Sequence, residues 1–231
     1  MPEIFKILLK EIKIFAKSNW WIFVIFVLCL AIIYKTNTGN IFEISSIFVL
    51  HFSGDLAVMM MLYYFSMKNN KYGVGFQIYQ FFIFTSLGIY AGLTGGKWHY
   101  LLPQLVFILP SLKGYFLEFK SKNINFINWK LSFGLNLFII GVNYYLGLFN
   151  SIHNIIQIFG FFFFSIGLVL LSEKQKYIFS LVGIFLITFG SFLSVYESFL
   201  ISDIKGIDIS YFLLPLTVFV FYIKNFKKFI N

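Results

Sequence analysis

Residues 177–199 read YIFSLVGIFLITFGSFLSVYESF, a run with one carboxylate, Glu197, and no lysine. A helix needs about 20 predominantly apolar residues to cross the hydrocarbon core of a bilayer. This run is long enough, and nothing in it would hold a helix at a water-exposed surface. Working outward, seven more apolar segments follow the same pattern, near 20–35, 41–65, 73–93, 98–117, 129–149, 152–171 and 209–223. The connections between them are short and leave no room for a soluble domain. The sequence predicts an all-α, polytopic membrane protein of about eight transmembrane helices.

Composition agrees. Of 231 residues, 59% are hydrophobic and 12% charged, whereas a soluble domain carries roughly 25% charged residues. So few charges cannot coat a globule of this size, so lipid must cover much of its surface. The net charge of +9 comes from 18 lysines and no arginine. Nucleic-acid binding would need those charges gathered on one soluble face; here they sit in small clusters between apolar runs. The single cysteine, Cys29, lies inside an apolar run and has no partner for a disulfide or a metal site. It reads as a packing residue. The first apolar run is followed by Lys35 with no small-residue cleavage motif, so no cleavable signal peptide is expected.

The lysines orient the chain. With the N-terminus in the cytoplasm, 15 lysines fall on the cytoplasmic side and three, Lys35, Lys97 and Lys205, on the other. That is the positive-inside bias, and it places both termini in the cytoplasm of a cell (inner) membrane. Lys113 is counted with the cytoplasmic set. Trp20, Trp21, Trp98 and Trp129 fall near segment ends, where interfacial aromatics belong. Ahead of the first span, Lys6, Lys10, Lys13 and Lys17 form one helical stripe, with Ile4, Leu8, Ile12 and Phe15 away from it. Residues 1–19 are therefore expected to form a basic amphipathic helix on an anionic leaflet.

Two stretches recur in the same order. Ser66-Met67-Lys68-Asn69-Asn70-Lys71-Tyr72 precedes one helix and Ser172-Glu173-Lys174-Gln175-Lys176-Tyr177 another. Leu101-Leu102-Pro103-Gln104-Leu105-Val106-Phe107 matches Leu213-Leu214-Pro215-Leu216-Thr217-Val218-Phe219 at five of seven positions. The organisation expected from this is an N-terminal helix at 20–40, a first three-helix repeat at 41–119, a linker helix at 120–150, and a second three-helix repeat with a basic tail at 151–231. One helix between two triplets keeps both in the same orientation, a parallel repeat of the kind transporters use. Pro103 and Pro215 would each remove a helical hydrogen bond. Kinks at matching places suggest gates, to which Pro103, Gln104 and Pro215 are assigned.

A three-plus-one-plus-three plan with prolines in the triplets resembles the SWEET fold. Ser53-Gly54, Lys71-Tyr72-Gly73, Leu102-Pro103-Gln104 and Gly114-Tyr115-Phe116 look like motifs of the nicotinamide riboside transporter family, PnuC. The resemblance covers roughly residues 41–228. It implies a facilitator for a small vitamin or nucleoside-like molecule, such as nicotinamide riboside or thiamine, without a cofactor. The chain departs from that family in lacking a Trp-x-x-Trp motif: Leu181 and Ile184 stand there, and no Trp follows Trp129.

Polar residues at membrane depth mark candidate sites. Asp55 is the only acid well inside a segment, and His51 lies one turn earlier on the same face. They either contact a cationic ring or hold a proton, or simply join two helices. Gln77, Tyr79 and Gln80, with Tyr90 further on, either read and stack on a ring or act as interhelical glue. Asn136 and Asn143, seven apart, share one face and either line a central path or bond neighbouring backbones. Asn154 and Gln157, beside His153, read as interfacial, and Tyr196 and Glu197 as solvated near the outer mouth. Gly92, Gly95 and Gly96 read as a turn.

No G-x-x-x-x-G-K-[ST] motif is present, so no ATP site is expected. His51, His99 and His153 are scattered, so no metal site is expected either. The only candidate catalytic dyad is His51 with Asp55, and it lacks a nucleophile. The sequence thus points to a membrane transporter rather than an enzyme, with the lipid bilayer and a small-molecule substrate as partners, no nucleic acid, and self-association left open. The alternatives are a membrane subunit or scaffold acting with a partner protein, and an intramembrane enzyme.

Overall fold

The computed structural model describes the chain apart from residues 1–9, 11, 12, 37–40, 68, 97, 122, 123, 125, 148, 150, 173–177, 201–205 and 231. Among the described residues there is no strand. The helices are α1 (Trp20–Thr36), α2 (Ile41–Ser66), α3 (Asn70–Gly95), α4 (Leu102–Leu105), α5 (Ile108–Phe119), α6 (Trp129–Tyr145), α7 (Ile152–Ser172), α8 (Ile178–Leu200) and α9 (Gly206–Ile230). A 3-10 turn, Trp98–Leu101, leads into α4. Among the described residues, four stretches are long and apolar enough to cross a membrane: Ile47–Ser66, Asn70–Gly95, Ile152–Leu170 and Ile178–Leu200.

The fourth expected segment, 98–117, is not one helix. Pro103 sits in the first turn of α4, where a missing N–H costs no helical bond, so it does not kink a helix as expected. Pro110 is responsible for the break. It has no N–H for the carbonyl of Val106, four residues back, and its ring crowds that carbonyl. The helix stops at Leu105 and restarts at Ile108. Across the gap Phe107 N donates to Gln104 O at 3.0 Å, and Ser111 N donates to Phe107 O at 3.1 Å. Pro215, by contrast, lies inside the continuous helix α9, as expected.

Six helices form a closed order of neighbours. Helix α2 packs on α3, α3 on α5, α5 on α7, α7 on α8, α8 on α9, and α9 back on α2. Outside this ring, α1 lies against α9 and α2, and α6 against α7 and α4. Met59, Met61, Leu62, Phe107, Leu168, Leu214, Phe221 and Tyr222 form part of the buried core. The residues described ahead of α1 are not simply resting on lipid. Helical residues 13–18 carry Phe15, which is 1% exposed and packs against Tyr63 and Phe221. Lys10, Lys13 and Lys17 stay exposed; the remainder of the expected amphipathic helix lies outside the described residues.

The α7–α8 pair is held backbone to backbone. Gly160 and Gly167 on α7, and Gly183 and Gly190 on α8, are each seven residues apart, two turns, and so lie on one face. A methyl on Gly183 would run into the backbone of Phe164, and one on Gly167 into the backbone of Ser180. In lipid, helix pairs gain from such close approach because apolar side chains find equally apolar neighbours in the bilayer. Thr188 and Ser191 spend their hydroxyls on their own helix, donating to Ile184 O at 2.8 Å and Ile187 O at 2.9 Å. The α2–α3 contact differs: Gly54 lies under the ring of Phe84, and Gly73 under that of Phe65.

Gly183→Leu is expected to lower the melting temperature of detergent-purified protein sharply, through overpacking worth about 1–3 kcal/mol or more. Gly134→Leu, at an exposed position with nothing near its Cβ, is expected to leave it unchanged. A tolerated Gly183→Leu would mean that the α7–α8 contact is not tight.

Candidate functional site

Polar side chains collect between the helices around the break. On α2, His51 and Asp55 are one turn apart, and His51 Nδ1 donates to Asp55 Oδ2 at 3.0 Å. Asp55 is buried at 7% exposure. The ring of Phe84, from α3, stands edge-on to His51 with centroids 5.4 Å apart, and closes the space over Gly54.

The second collection lies between α3 and the broken segment. Gly92 faces Trp98, Gly88 faces the backbone of Leu101, and Gly114 faces Val74. These contacts define one antiparallel register on both sides of the break. In that register Thr85 is level with Gln104, and Gln77 with Ser111. All four residues carry a buried polar atom without a partner: Thr85 Oγ1, Gln104 Oε1, Gln77 Nε2 and Ser111 Oγ. Gln80 Oε1, elsewhere on α3, is a further buried polar atom without a partner. Each such atom costs about 1–3 kcal/mol, so this seam is the least satisfied part of the described interior. Lys113, assigned from sequence to the cytoplasmic flank, is buried within α5 at 6% exposure.

The third collection joins α6 to α7. Asn136 Nδ2 donates to Ser132 O at 2.7 Å and to Ser165 Oγ at 2.8 Å. Asn143 Nδ2 donates to Ile139 O at 2.7 Å. Both asparagines are almost fully buried and line a small cavity with Val106, Ile139, Phe161 and Phe162. The break reaches the same place: Phe107, 1% exposed, sets its ring edge-on to Phe161 and Phe164 of α7.

Not every expected residue joins these groups. Tyr79 and Tyr90 are 47% and 38% exposed on the outer face of α3, so neither is placed to stack on a ligand held in the seam. One residue before the cavity-lining Ile158, Gln157 Nε2 donates to Ser191 Oγ at 3.2 Å, tying α7 to α8. His153 Nδ1 lies 2.7 Å from Glu197 Oε2, an ion-pair distance outside hydrogen-bond geometry, and His153 Nε2 lies 3.2 Å from Ser151 Oγ. Tyr196 is exposed and Cys29 buried, as expected. Ile184 is buried in the core and Leu181 packs partly against it.

Thr85, Phe107, Pro110 and Ser111 were not singled out from sequence. Pro110 was legible as a helix breaker. Ser111 and Thr85 were not, because a hydroxyl in a helix ordinarily bonds its own backbone. No protein-family model matches the chain, and none of the curated proteins or solved structures matches it significantly. Among the described residues no group of three or more His, Cys, Asp or Glu side chains is placed to hold a metal.

Ser111→Ala and Thr85→Val each remove an unpaired polar atom. Both are expected to raise the thermal stability of the purified protein, by up to about 1–3 kcal/mol each. If these hydroxyls carried structural hydrogen bonds, the melting temperature would move the other way.

Proposed function

We propose that this chain is a membrane transporter, working as a facilitator for a small neutral or singly cationic vitamin-like molecule such as nicotinamide riboside or thiamine. The observation that carries the reading is the seam of unpaired buried polar atoms beside a broken helix. Irregular backbone at membrane depth is tolerated where it is enclosed by protein or lines a cavity. Discontinuous helices form substrate sites in many transporters. Gln77, Gln80 and Gln104 supply amide edges for a polar ring, Thr85 and Ser111 hydroxyls, and the His51–Asp55 pair a carboxylate for a cationic group. Asn136 and Asn143 flank the break from α6. The cavity there, about 10 Å³, is at the lower limit for one water. Passage of a vitamin therefore requires the helices to separate, with the turn at Val106–Phe107 as the hinge and the glycine-locked α7–α8 pair as the fixed partner.

The membrane arrangement belongs to the same proposal: eight spans in the inner membrane, both termini cytoplasmic, built as a parallel repeat. The neighbour order favours two repeats of four helices. Helix α1 lies against the last helix of the other half and the next helix of its own, and α6 does the same with α4 and α7. Both helices follow Asn-Trp junctions, Asn19-Trp20 and Asn128-Trp129. An even number of spans per repeat keeps both halves in the same orientation without a separate linker.

Counterflow in liposomes containing the purified protein tests the reading, after a thermal-shift screen against nicotinamide riboside, thiamine, riboflavin and nucleosides. A ligand that raises the melting temperature and exchanges across the bilayer is expected. Gln77→Leu should reduce exchange at least tenfold while leaving the protein folded. Failure of the folded, reconstituted protein to exchange any of these compounds would count against transport.

The His51–Asp55 pair favours a second reading, an intramembrane enzyme in which the pair handles a proton. Under that reading the folded protein turns over a membrane-borne substrate in detergent, where no exchange across a bilayer is possible, and Asp55→Asn abolishes that turnover.

A further inference from the structure

Both ends of the chain bring lysines to one corner of the bundle. Phe15 is seated against Tyr63 of α2 and Phe221 of α9, with ring centroids 5.7 and 5.8 Å away. Asn19, also buried, fixes the segment that carries it: Asn19 N and Nδ2 both donate to Phe15 O, at 2.9 and 3.1 Å. Lys13 and Lys17 lie two residues either side of Phe15, so they project from the opposite face of the segment, and both are exposed. On α9, Lys224 follows Phe221 by three residues and is exposed, and the helix runs on through Lys227 and Lys228 to Ile230. No acid occurs between Lys13 and Thr36, nor in α9 beyond Asp208; Glu11 lies outside the described residues. Among the described residues no carboxylate pairs with Lys13, Lys17 or Lys224. The two clusters flank the same ring contact, and their mutual repulsion works against it.

Depth selects the counter-charge. Lys17 stands three residues before Trp20, where the apolar helix α1 begins. Helix α9 has 25 residues, about 37 Å at 1.5 Å per residue. The hydrocarbon core is roughly 30 Å thick, so the lysine-bearing last turns of α9 reach the headgroup layer. Lysine clusters beside membrane helices are suited to anionic headgroups. We infer that the headgroup of one anionic phospholipid binds at this corner, bridging Lys13 and Lys17 to Lys224 and clamping the N-terminal segment onto α9. This differs from the general attraction of a basic segment to an anionic leaflet. A single headgroup is shared by the two ends of the chain, and its charge relieves the repulsion that opposes the seating of Phe15. The inference rests on the chain lying in a bilayer and does not depend on the transport reading.

The test uses the full chain, stripped of lipid in detergent and then given phosphatidylglycerol or phosphatidylcholine in equal amounts. Melting temperature and amide hydrogen exchange over residues 13–18 are read together. Phosphatidylglycerol is expected to raise the melting temperature and to slow exchange in that segment at least about tenfold; phosphatidylcholine should do neither. The effect should fade as NaCl approaches about 1 M, where charges are screened beyond roughly 3 Å. The double variant Lys13→Gln/Lys17→Gln and the single variant Lys224→Gln should each lose most of the response. Lys120→Gln, at the end of α5, should keep it. All four lysines are exposed, so the variants are expected to fold. Inorganic phosphate at the same ionic strength should have no effect; an equal effect would place a soluble anion there and overturn the lipid. Equal responses to the two lipids, a response that survives both lysine variants, or a higher melting temperature without slower exchange at 13–18 would each overturn the inference as well.

Discussion

Inside a bilayer there is no water to take up a backbone N–H or C=O that the chain leaves unpaired. That constraint makes the protein helical and makes one departure from helix informative. Pro110 denies the Val106 carbonyl its helical donor. The structure responds by surrounding the gap with protein: Phe107 is driven between the rings of Phe161 and Phe164, and Val106 meets two buried asparagines. Helices α4, α5, α6 and α7 all come into contact around this gap.

The two halves of the chain meet the same demand differently. In α7 and α8, glycines allow backbone contact, and each of Thr188 and Ser191 bonds a carbonyl of its own helix. Between α3 and the broken segment, Gln77, Thr85, Gln104 and Ser111 each carry a buried polar atom with no partner. The α7–α8 pair, with its backbones in contact, still leaves Ser180 Oγ and His153 Nδ1 buried without a hydrogen-bond partner. The seam between α3 and the broken segment holds four more such atoms, each of which would gain a hydrogen bond from a polar group brought against it.

Much of the helical layout was legible in the sequence, because apolar length alone marks a helix that lipid can accept. The His51–Asp55 pair and the buried faces of Gln77, Gln80, Asn136 and Asn143 were legible for a related reason: a polar group in such a run must turn inward. What was not legible depended on contacts between helices. Tyr79 belongs to the same turn as Gln77 and Gln80, yet it faces outward, because the inner face of α3 is set by the packing of Gly73, Val74, Gly88 and Gly92. Pro103 and Pro110 could be compared only by knowing where the helix starts. Phe15 read as one apolar residue on a surface helix; its place beside Tyr63 and Phe221 requires the two ends of the chain to meet.

That meeting bears on how the protein is made. Phe15 leaves the ribosome well before Phe221, which lies 206 residues further along the chain (221 less 15). Helices α1 and α2 also rest on α9. Until the final helix enters the membrane, the first two present a bare flank to lipid and the N-terminal segment has only half its seat. The ring of helices therefore closes only once α9 is in place, and a chain truncated before α9 would leave an open arc of helices for quality-control proteases to find.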